Sequence, residues 1–233
     1  MLVSTRSICF SRLSFFSADI AHELRTPITN LTTQTEVILS RKRTNENYTD
    51  ILYSHLEEYE RMSKMVSDML LLAQTEHGLI KPNKDKVTAN QEISDLIEYF
   101  EVLADEKNIK LTLSGPSIEI VCDKTMLRQA LSNLISNAIK FSKPDSEVLI
   151  SSVFNANYIT IAIKDEGIGI PEADQKHLFT RFFRAHNVEN IKGTGLGLNI
   201  VKHHVELLGG TISFQSELGV GTVFIVELPL DTI

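Results

Sequence analysis

Two long apolar stripes near the N-terminus constrain the fold of this chain more than any other feature. In the second stripe, apolar residues recur every three or four positions without an intervening glycine or proline: Leu52, Leu56, Tyr59, Met62, Val66, Met69 and Ala73. This spacing keeps one face of an α-helix apolar. It predicts a long helix that ends near "TEHG", where Gly78 is the expected stop.

The first stripe lies between about Phe15 and Arg41 and follows the same helical spacing. Its positions are Ile20, Leu24, Ile28, Leu31, Thr35 and Ile38. A polar turn, "RKRTNEN", separates the stripes, so together they predict an antiparallel hairpin. One partner cannot cover a stripe this long and narrow, which favours a symmetric dimer that closes a four-helix bundle. The alternative is a hairpin that packs on the rest of its own chain.

After "GLIKPNKDK" the pattern changes to mixed helices and strands. Strands are predicted near 84–88, 109–114, 118–122, 147–154, 158–164, 210–216 and 221–228, and helices near 90–106, 124–141 and 196–208. The last two strands form a hairpin whose turn, "SELGVGT", contains Gly219 and Gly221. The chain is therefore predicted to be α+β, with a helical hairpin followed by a sandwich of one mixed sheet under a layer of helices.

Composition excludes several classes of protein. A net charge of −7 over 233 residues, without a run of lysines and arginines, argues against a nucleic-acid partner. Cys9 and Cys122 are isolated, which fits a reducing compartment and neither a zinc site nor a disulfide framework. No apolar run is long enough to span a bilayer, so if the protein serves a membrane, its membrane segment is expected to be missing from these residues.

Two glycine-rich motifs and one helix suggest a nucleotide site. In "DEGIGI", Asp165 follows a strand, and Gly167 and Gly169 let the backbone pass close to a flat ligand. "KGTGLGL" opens a helix and offers a cradle for phosphates, formed by Lys192, Gly193, Thr194, Gly195, Leu196 and Gly197. Either motif alone could be an ordinary turn.

The helix that contains "NLISNAIKFS" supplies the third part of this constellation. Asn133 and Asn137 are four residues apart and share a face, and Lys140 follows three residues later. One such asparagine could be a satisfied core amide. Two asparagines with a lysine indicate a polar site, where the Asn137 carbonyl can complete a Mg²⁺ shell. The expected arrangement places the base at Asp165, the metal at Asn137 and the phosphates near residues 193–197.

The first helix contains "ADIAHELRTPITNL", in which His22 interrupts the apolar rhythm. A neutral imidazole is a competent nucleophile near pH 7, adjacent Glu23 can take its proton, and Thr26 lies one turn along the same face. Two alternatives remain at this point. His22 could be an ordinary surface histidine, or the start of a zinc helix, although that motif needs a second histidine where Thr26 stands.

Five motifs, in this order and at these separations, resemble the catalytic core of bacterial sensor histidine kinases: "HELRTP", "NLISNAIKFS", "DEGIGIP", "LFTRFFR" and "GTGLGLNIV". The resemblance implies a residual linker at 1–14, a dimerising phosphoacceptor domain at 15–78 and a gyrase/Hsp90-like ATP-binding domain at 79–233. Segments such as "EYERMSKMVSDMLLLAQ" look most like the heavy-metal (copper or silver) sensing branch. That likeness implies upstream membrane helices, so that the chain would be the cytoplasmic portion of an inner-membrane protein.

The resemblance also implies the activity and the residue roles. His22 would be the phosphoacceptor, Glu23 the general base and Thr26 the residue that holds a water for phosphatase chemistry. The implied enzyme is a homodimeric autokinase that uses ATP and Mg²⁺ and passes the phosphoryl group to an aspartate of a response regulator. The alternative is a nucleotide-driven clamp of the gyrase and chaperone kind. Such a clamp carries a glutamate at the position of Asn133, which cannot act as a general base.

One further segment joins the two halves of the predicted nucleotide site. This connecting segment, residues 179–193, contains few residues that could anchor it, and it is predicted to be a mobile lid. By family likeness its phenylalanines anchor the lid and contact the hairpin, although at least one is expected in the core. Arg184 and Lys192 are expected to reach the phosphates.

Overall fold

A computed structural model of the chain describes residue 21 and residues 23–76, 78–188, 191 and 193–230. His22 and Lys192 lie outside the described residues. The chain divides between Leu71 and Leu72 into two compact units, which are considered separately below. The functional boundary predicted at residue 78 stays a prediction.

The described residues of the first unit form two helices, α1 (23–39) and α2 (Asn45–Glu76), of which α2 continues into the second unit. The polar turn is shorter than predicted, because α2 begins at Asn45. The Thr44 hydroxyl accepts a hydrogen bond from the Asn47 backbone N–H at 3.3 Å and satisfies one of the free amides of the first turn.

The end of α2 is as predicted. Gly78 has a φ of +64°. Its N–H donates to the Thr75 carbonyl and the Leu79 N–H donates to the Gln74 carbonyl, each at 3.0 Å. These two bonds form a Schellman cap, in which a left-handed glycine closes the helix at low steric cost.

The apolar stripe of α2 divides into an exposed and a buried part. Most of the predicted stripe is exposed in the single chain, with Leu52 at 65%, Tyr59 at 56% and Val66 at 42% of full exposure. Met69 is buried, and the same is true of Met65, which the stripe did not include. The exposed part is the kind of surface that a second copy of the chain would cover.

Besides the end of α2, the described residues of the second unit form seven strands and four helices. The strands are β1 (Asp85–Thr88), β2 (Lys110–Ser114), β3 (Glu119–Cys122), β4 (Glu147–Phe154), β5 (Tyr158–Asp165), β6 (Thr211–Glu217) and β7 (Gly221–Pro229). The helices are α3 (Ala89–Asp105), α4 (Lys124–Phe141), α5 (Glu172–Gln175) and α6 (Gly197–Leu207). The short α5 and a 3₁₀ turn at His186–Val188 were not predicted, because elements of three or four residues show no periodicity.

Five of the strands form a mixed sheet in the order β2-β4-β5-β7-β6. Only the β2–β4 pair is parallel, whereas β4–β5, β5–β7 and β6–β7 are antiparallel. The predicted α+β class is confirmed, but the prediction of a single sheet is wrong. β1 and β3 pair with each other in a separate antiparallel ribbon, from Asp85 opposite Cys122 to Thr88 opposite Glu119.

The core lies between the five-stranded sheet and the helices. Along β5 the side chains alternate, so that Ile159, Ile161 and Ile163 are buried on one face and join the buried leucines of α4 in one apolar cluster. Full burial of each such side chain contributes roughly 1.5–3 kcal/mol. The same alternation carries Asp165, at the end of β5, onto the buried face.

No helix in the described part of the chain combines the length and apolarity that crossing a bilayer requires.

Candidate nucleotide site and phosphoacceptor helix

Asp165 is a buried carboxylate at the end of a central strand. Its Oδ1 accepts hydrogen bonds from the Gly167 N–H at 2.9 Å and the Thr222 N–H at 3.1 Å. Burial raises the pKa of this carboxyl, and the two backbone hydrogen bonds oppose the rise. Because both bonds go to one oxygen, the other oxygen is available to a donor on a ligand.

Residues 165–170 form the predicted nucleotide-binding loop, called the nucleotide loop below, which is held between the end of α4 and the β6–β7 turn. Ile168 donates its N–H to the Phe141 carbonyl at 3.2 Å and accepts at its own carbonyl from the Gly219 N–H at 2.8 Å. A Cβ on Gly167 would lie 2.5 Å from the Phe141 carbonyl oxygen. The close approach of these backbones therefore requires glycine in "DEGIGI".

The phosphate end of the predicted site is formed where α4 and α6 pack together. A Cβ on Gly197 would lie 3.3 Å from Asn133 Oδ1, and a Cβ on Gly193 would lie 3.0 Å from Lys140 Nζ. The structure thus brings the asparagine helix and the glycine motif together, although they are some sixty residues apart in sequence. Asn137 is half-buried and lies one turn after Asn133 on the same face of α4.

The glycine motif leads directly into α6. The Leu196 N–H donates to the Thr194 hydroxyl at 3.4 Å, and the buried Leu196 immediately precedes the first helical residue. Gly195 has a φ of +70°, and a Cβ there would lie 2.5 Å from the Phe182 carbonyl carbon. The N-terminal amides of α6 give this end of the predicted site a partial positive charge, which suits phosphate.

The helix that is predicted to carry the phosphoacceptor belongs to the first unit. Helix α1 runs on through Pro27, whose ring is buried. Glu23 is half-buried and Thr26 is exposed, so the Thr26 hydroxyl is accessible from solvent. The predicted nucleophile, His22, lies outside the described residues.

Two family models match this chain. The His Kinase A (phospho-acceptor) domain matches residues 12–78, and the histidine kinase-, DNA gyrase B-, and HSP90-like ATPase domain matches residues 122–232. The chain belongs to the sensor histidine kinases.

Individual relatives agree with this assignment. Sensor histidine kinase CusS of Escherichia coli K12 is 40% identical over 222 residues, which cover 94% of this chain and 46% of CusS. The chain thus spans about half the length of the curated relatives it matches. The resemblance to the heavy-metal branch is confirmed, since the relatives near 40% identity are heavy-metal sensor histidine kinases.

Solved structures of similar proteins share the fold. Acinetobacter baumannii histidine kinase AdeS has a TM-score of 0.77 at 28% identity, covering 91% of this chain and 98% of that chain. Full-length ShkA in complex with AMPPNP has a TM-score of 0.70 at 26% identity, covering 93% of this chain and 46% of that chain.

Arg184 of this histidine kinase faces its own connecting segment. Its Nη2 donates to the Val188 carbonyl at 2.7 Å and also to the Ile191 carbonyl. The guanidinium therefore joins the carbonyls of Val188 and Ile191 to Arg184. Lys192, the other predicted phosphate ligand of this segment, lies outside the described residues.

The expectation that the connecting segment has few anchors is wrong for its middle part. Asp174 of α5 accepts from the His186 N–H at 2.9 Å and contacts His186 Nδ1 at 2.8 Å. The Asn187 side-chain amide donates to the Gly169 carbonyl of the nucleotide loop at 2.8 Å. Sequence reasoning missed both anchors, because neither has a helical or strand period.

One segment phenylalanine does belong to the core, as expected. Phe179 packs against the core cluster and meets Phe214 of β6 edge to face, with ring centroids 5.8 Å apart. Its carbonyl accepts from Asn199 Nδ2 of α6 at 2.8 Å. The start of the segment is therefore fixed to both the sheet and helix α6, at whose N-terminus the phosphate cradle is predicted.

Proposed function

We propose that this chain is the catalytic core of a two-component system: it phosphorylates itself on His22 with ATP and passes the phosphoryl group to an aspartate of a response regulator. The observation that carries the proposal is that α4 lies beside both the loop of the buried Asp165, through Phe141, and the N-terminus of α6, through Asn133, in a chain whose sequence contains His22-Glu23. The match to ATPase and phosphoacceptor families supports the same conclusion.

The proposed site has the donors and acceptors that ATP needs. The second oxygen of Asp165 accepts the adenine amino group, while the nearby glycines admit the flat base. Lys140 and the backbone of residues 193–197 face the phosphates, together with the macrodipole of α6. Arg184 and Lys192 remain proposed phosphate ligands. The binding of AMPPNP by the structural neighbour ShkA supports this use of the fold.

Asn137 would hold Mg²⁺ through its side-chain carbonyl. It is half-buried in the same helix face as Asn133, with Lys140 one turn further on, and a neutral oxygen donor of this kind suits magnesium when phosphates and water complete the shell. The ion supplies charge neutralisation on the phosphates when it is bound. In the proposed site, Asn133 directs its Oδ1 towards α6, since its Nδ2 donates to the Gln129 carbonyl at 3.0 Å.

Transfer to the acceptor follows from the chemistry of the imidazole. An imidazole nitrogen of His22 attacks the γ-phosphorus, the bond between that phosphorus and the bridging oxygen of ADP breaks, and Glu23 takes the imidazole proton. Phosphohistidine then donates the phosphoryl group to an aspartate carboxylate of the response regulator. Thr26, exposed one turn after His22, holds a water for the reverse task of dephosphorylating that partner.

Asn133 favours this reaction over the clamp alternative. An amide cannot remove a proton from water, so this position does not support the hydrolysis that drives a gyrase-like or chaperone-like clamp. The exposed stripe of α2 supports a homodimer, in which a second hairpin completes a four-helix bundle. The relatives support a place as the cytoplasmic part of a membrane-bound, heavy-metal-responsive sensor.

The test is incubation with γ-labelled ATP and Mg²⁺. Acid-labile, base-stable label on the wild-type chain and its loss in His22→Gln, with nucleotide affinity unchanged, is the expected result. Label that persists in the variant would place the acceptor elsewhere, and nucleotide hydrolysis without any protein label would favour the clamp.

A further inference from the structure

The middle of the connecting segment forms a small anchored block. Val188 donates its N–H to the Ala185 carbonyl and Ile191 donates its N–H to the Val188 carbonyl, each at 3.0 Å. Arg184 adds its guanidinium to the carbonyls of Val188 and Ile191. The backbone from residue 184 to residue 188, with the carbonyl of residue 191, is therefore held together by its own contacts.

Two side chains attach this block to the rest of the domain. One is the carboxylate of Asp174, 4% exposed, which accepts both the backbone N–H and the imidazole Nδ1 of His186. These bonds, led by the backbone one, lower the pKa of Asp174, which keeps the acceptor ionised. The other is Asn187, whose amide donates to Gly169, the second glycine of the nucleotide loop.

The nucleotide loop has support of its own that does not depend on Asn187. The Ile170 N–H donates to Ser216 Oγ at 2.9 Å, and Gln175 Nε2 donates to the Ile170 carbonyl at 3.1 Å. Ile168 is bonded on both sides, to Phe141 and Gly219. Loss of the Asn187 amide should therefore leave the adenine end of the site in place.

The phosphate end depends on the block in a different way. Gly193, the first described residue of the phosphate cradle, is six peptide units from Asn187, and six peptide units span at most about 20 Å. The distance between Asn187 and Gly193 is limited further, because Arg184 holds the carbonyls of Val188 and Ile191 together. The position of Asn187 thus restricts where the first cradle residues can lie.

From this geometry we infer that Asn187 is a positioning residue, which fixes the phosphate cradle relative to the nucleotide loop through its bond to Gly169. The inference rests on the proposed function of the site as an ATP site. Asn187 contacts neither base nor phosphate in this role. Its effect is to reduce the conformational freedom that the phosphate-binding backbone loses when nucleotide binds.

The test compares a ligand that occupies the adenine end alone with one that occupies both ends. Adenosine and AMPPNP, with fixed Mg²⁺, are titrated in competition with trinitrophenyl-ATP fluorescence, using wild type, Asn187→Ala and Asn187→Asp. Both variants lack the amide donor, and the aspartate keeps the shape of the side chain. We expect AMPPNP affinity to fall about 3- to 10-fold, the range for one neutral hydrogen bond, and adenosine affinity to change less than about 1.5-fold.

Asn155→Ala is the matched control. Asn155 Oδ1 accepts from the Asn157 and Tyr158 N–H groups at 2.8 and 2.9 Å, so this variant also loses side-chain to backbone bonds. Its turn precedes β5, about 23 Å along the strand from Asp165. In Asn155→Ala the ratio of AMPPNP affinity to adenosine affinity should equal that of wild type. This should hold even if the melting temperature of Asn155→Ala falls as much as that of Asn187→Ala.

The outcomes are separable. Equal loss of adenosine and AMPPNP affinity, or no loss of either, in the Asn187 variants would overturn the positioning role while leaving the ATP site intact. Failure of the wild-type chain to bind either ligand would overturn the proposed function and this inference with it. Failure of autophosphorylation alone would overturn the kinase proposal, because the binding ratios do not depend on His22.

Discussion

Replacing Asp165 with asparagine should stabilise the nucleotide-free protein and weaken nucleotide binding at the same time. The residue is 6% exposed, and burial raises the pKa of its carboxyl. Asparagine can accept the same two backbone hydrogen bonds, from Gly167 and Thr222, through its own Oδ1. The variant therefore loses the cost of a buried charge and keeps the local hydrogen bonds.

The pH dependence gives the sign of the stability effect. A carboxyl with a raised folded-state pKa contributes its full stability below the unfolded value, near 3.9, and loses that stability as pH rises through the folded value. Asparagine does not titrate. The free energy of unfolding of Asp165→Asn should therefore exceed that of wild type at pH 7.5, and the difference should shrink as pH falls towards 4.

The affinity of Asp165→Asn for nucleotide should fall, whereas its stability should rise. The amide nitrogen replaces the oxygen that accepts the adenine amino group, so a donor would face a donor. Loss of a hydrogen bond to a charged group costs about 1.5–3 kcal/mol, which corresponds to a dissociation constant raised about 10- to 150-fold. Urea denaturation between pH 4.5 and 8 measures the first effect, and calorimetry with AMPPNP measures the second.

Asp174→Asn is a control for which the opposite change in the free energy of unfolding is expected. The hydrogen bonds from His186 lower the pKa of Asp174, so its stabilising contribution is present above the unfolded value and is lost as pH falls through the folded one. This variant should be less stable than wild type at pH 7.5. An Asp165→Asn chain that is destabilised at every pH, like the control, or that binds AMPPNP as tightly as wild type, would refute the reasoning.

Three further substitutions, and a fourth that serves as a control, test separate parts of the proposal. Asn137→Ala should raise the dissociation constant for Mg·AMPPNP at least about tenfold, with little effect when EDTA removes the metal, as calorimetry in the two buffers would show. Thr26→Ala should spare autophosphorylation but slow dephosphorylation of the response regulator by about tenfold or more, and equal decay rates in the presence of ADP would argue against its role. Gly169→Ala should unfold the nucleotide loop and abolish binding, because a Cβ would collide with the Glu217 carbonyl at a φ of +64°. Gly78→Ala, at the same φ in open space, should cost only about 1–2 kcal/mol in thermal unfolding, and a similar loss in both glycine variants would contradict the collision argument.

Much of the fold could be predicted from the sequence wherever local contacts decide it. Helix α4 has the predicted bounds at both ends, since Asp123 caps its first turn by accepting from the Met126 N–H at 3.0 Å, three residues away. The Schellman cap at Gly78 is equally local. The strands that border Asp165 were also predicted, because an alternating pattern needs only the residues of the strand itself.

The nucleotide site could be assembled from the sequence only as a set of motifs. The resemblance to a known family indicated that the motifs belong to one site, but the contacts that bring them together are long-range. Gly169 must be glycine because of a carbonyl at Glu217, and Gly193 approaches Lys140 through the packing of α6 on α4. A glycine in a loop looks the same in sequence whether its neighbour is solvent or another backbone.

The anchors of the connecting segment and the pairing of β1 with β3 were decided by the tertiary structure alone. Asp174 and His186 are separated by an irregular stretch, and so are Asn187 and Gly169, so no period of 3.6 or 2 marks either pair. The sequence could likewise predict that α2 has an apolar stripe, but not that Met65 is buried while Leu52 is exposed. Sequence periodicity reports which residues share a face of one element, whereas burial and irregular hydrogen bonds depend on which other part of the chain meets that face.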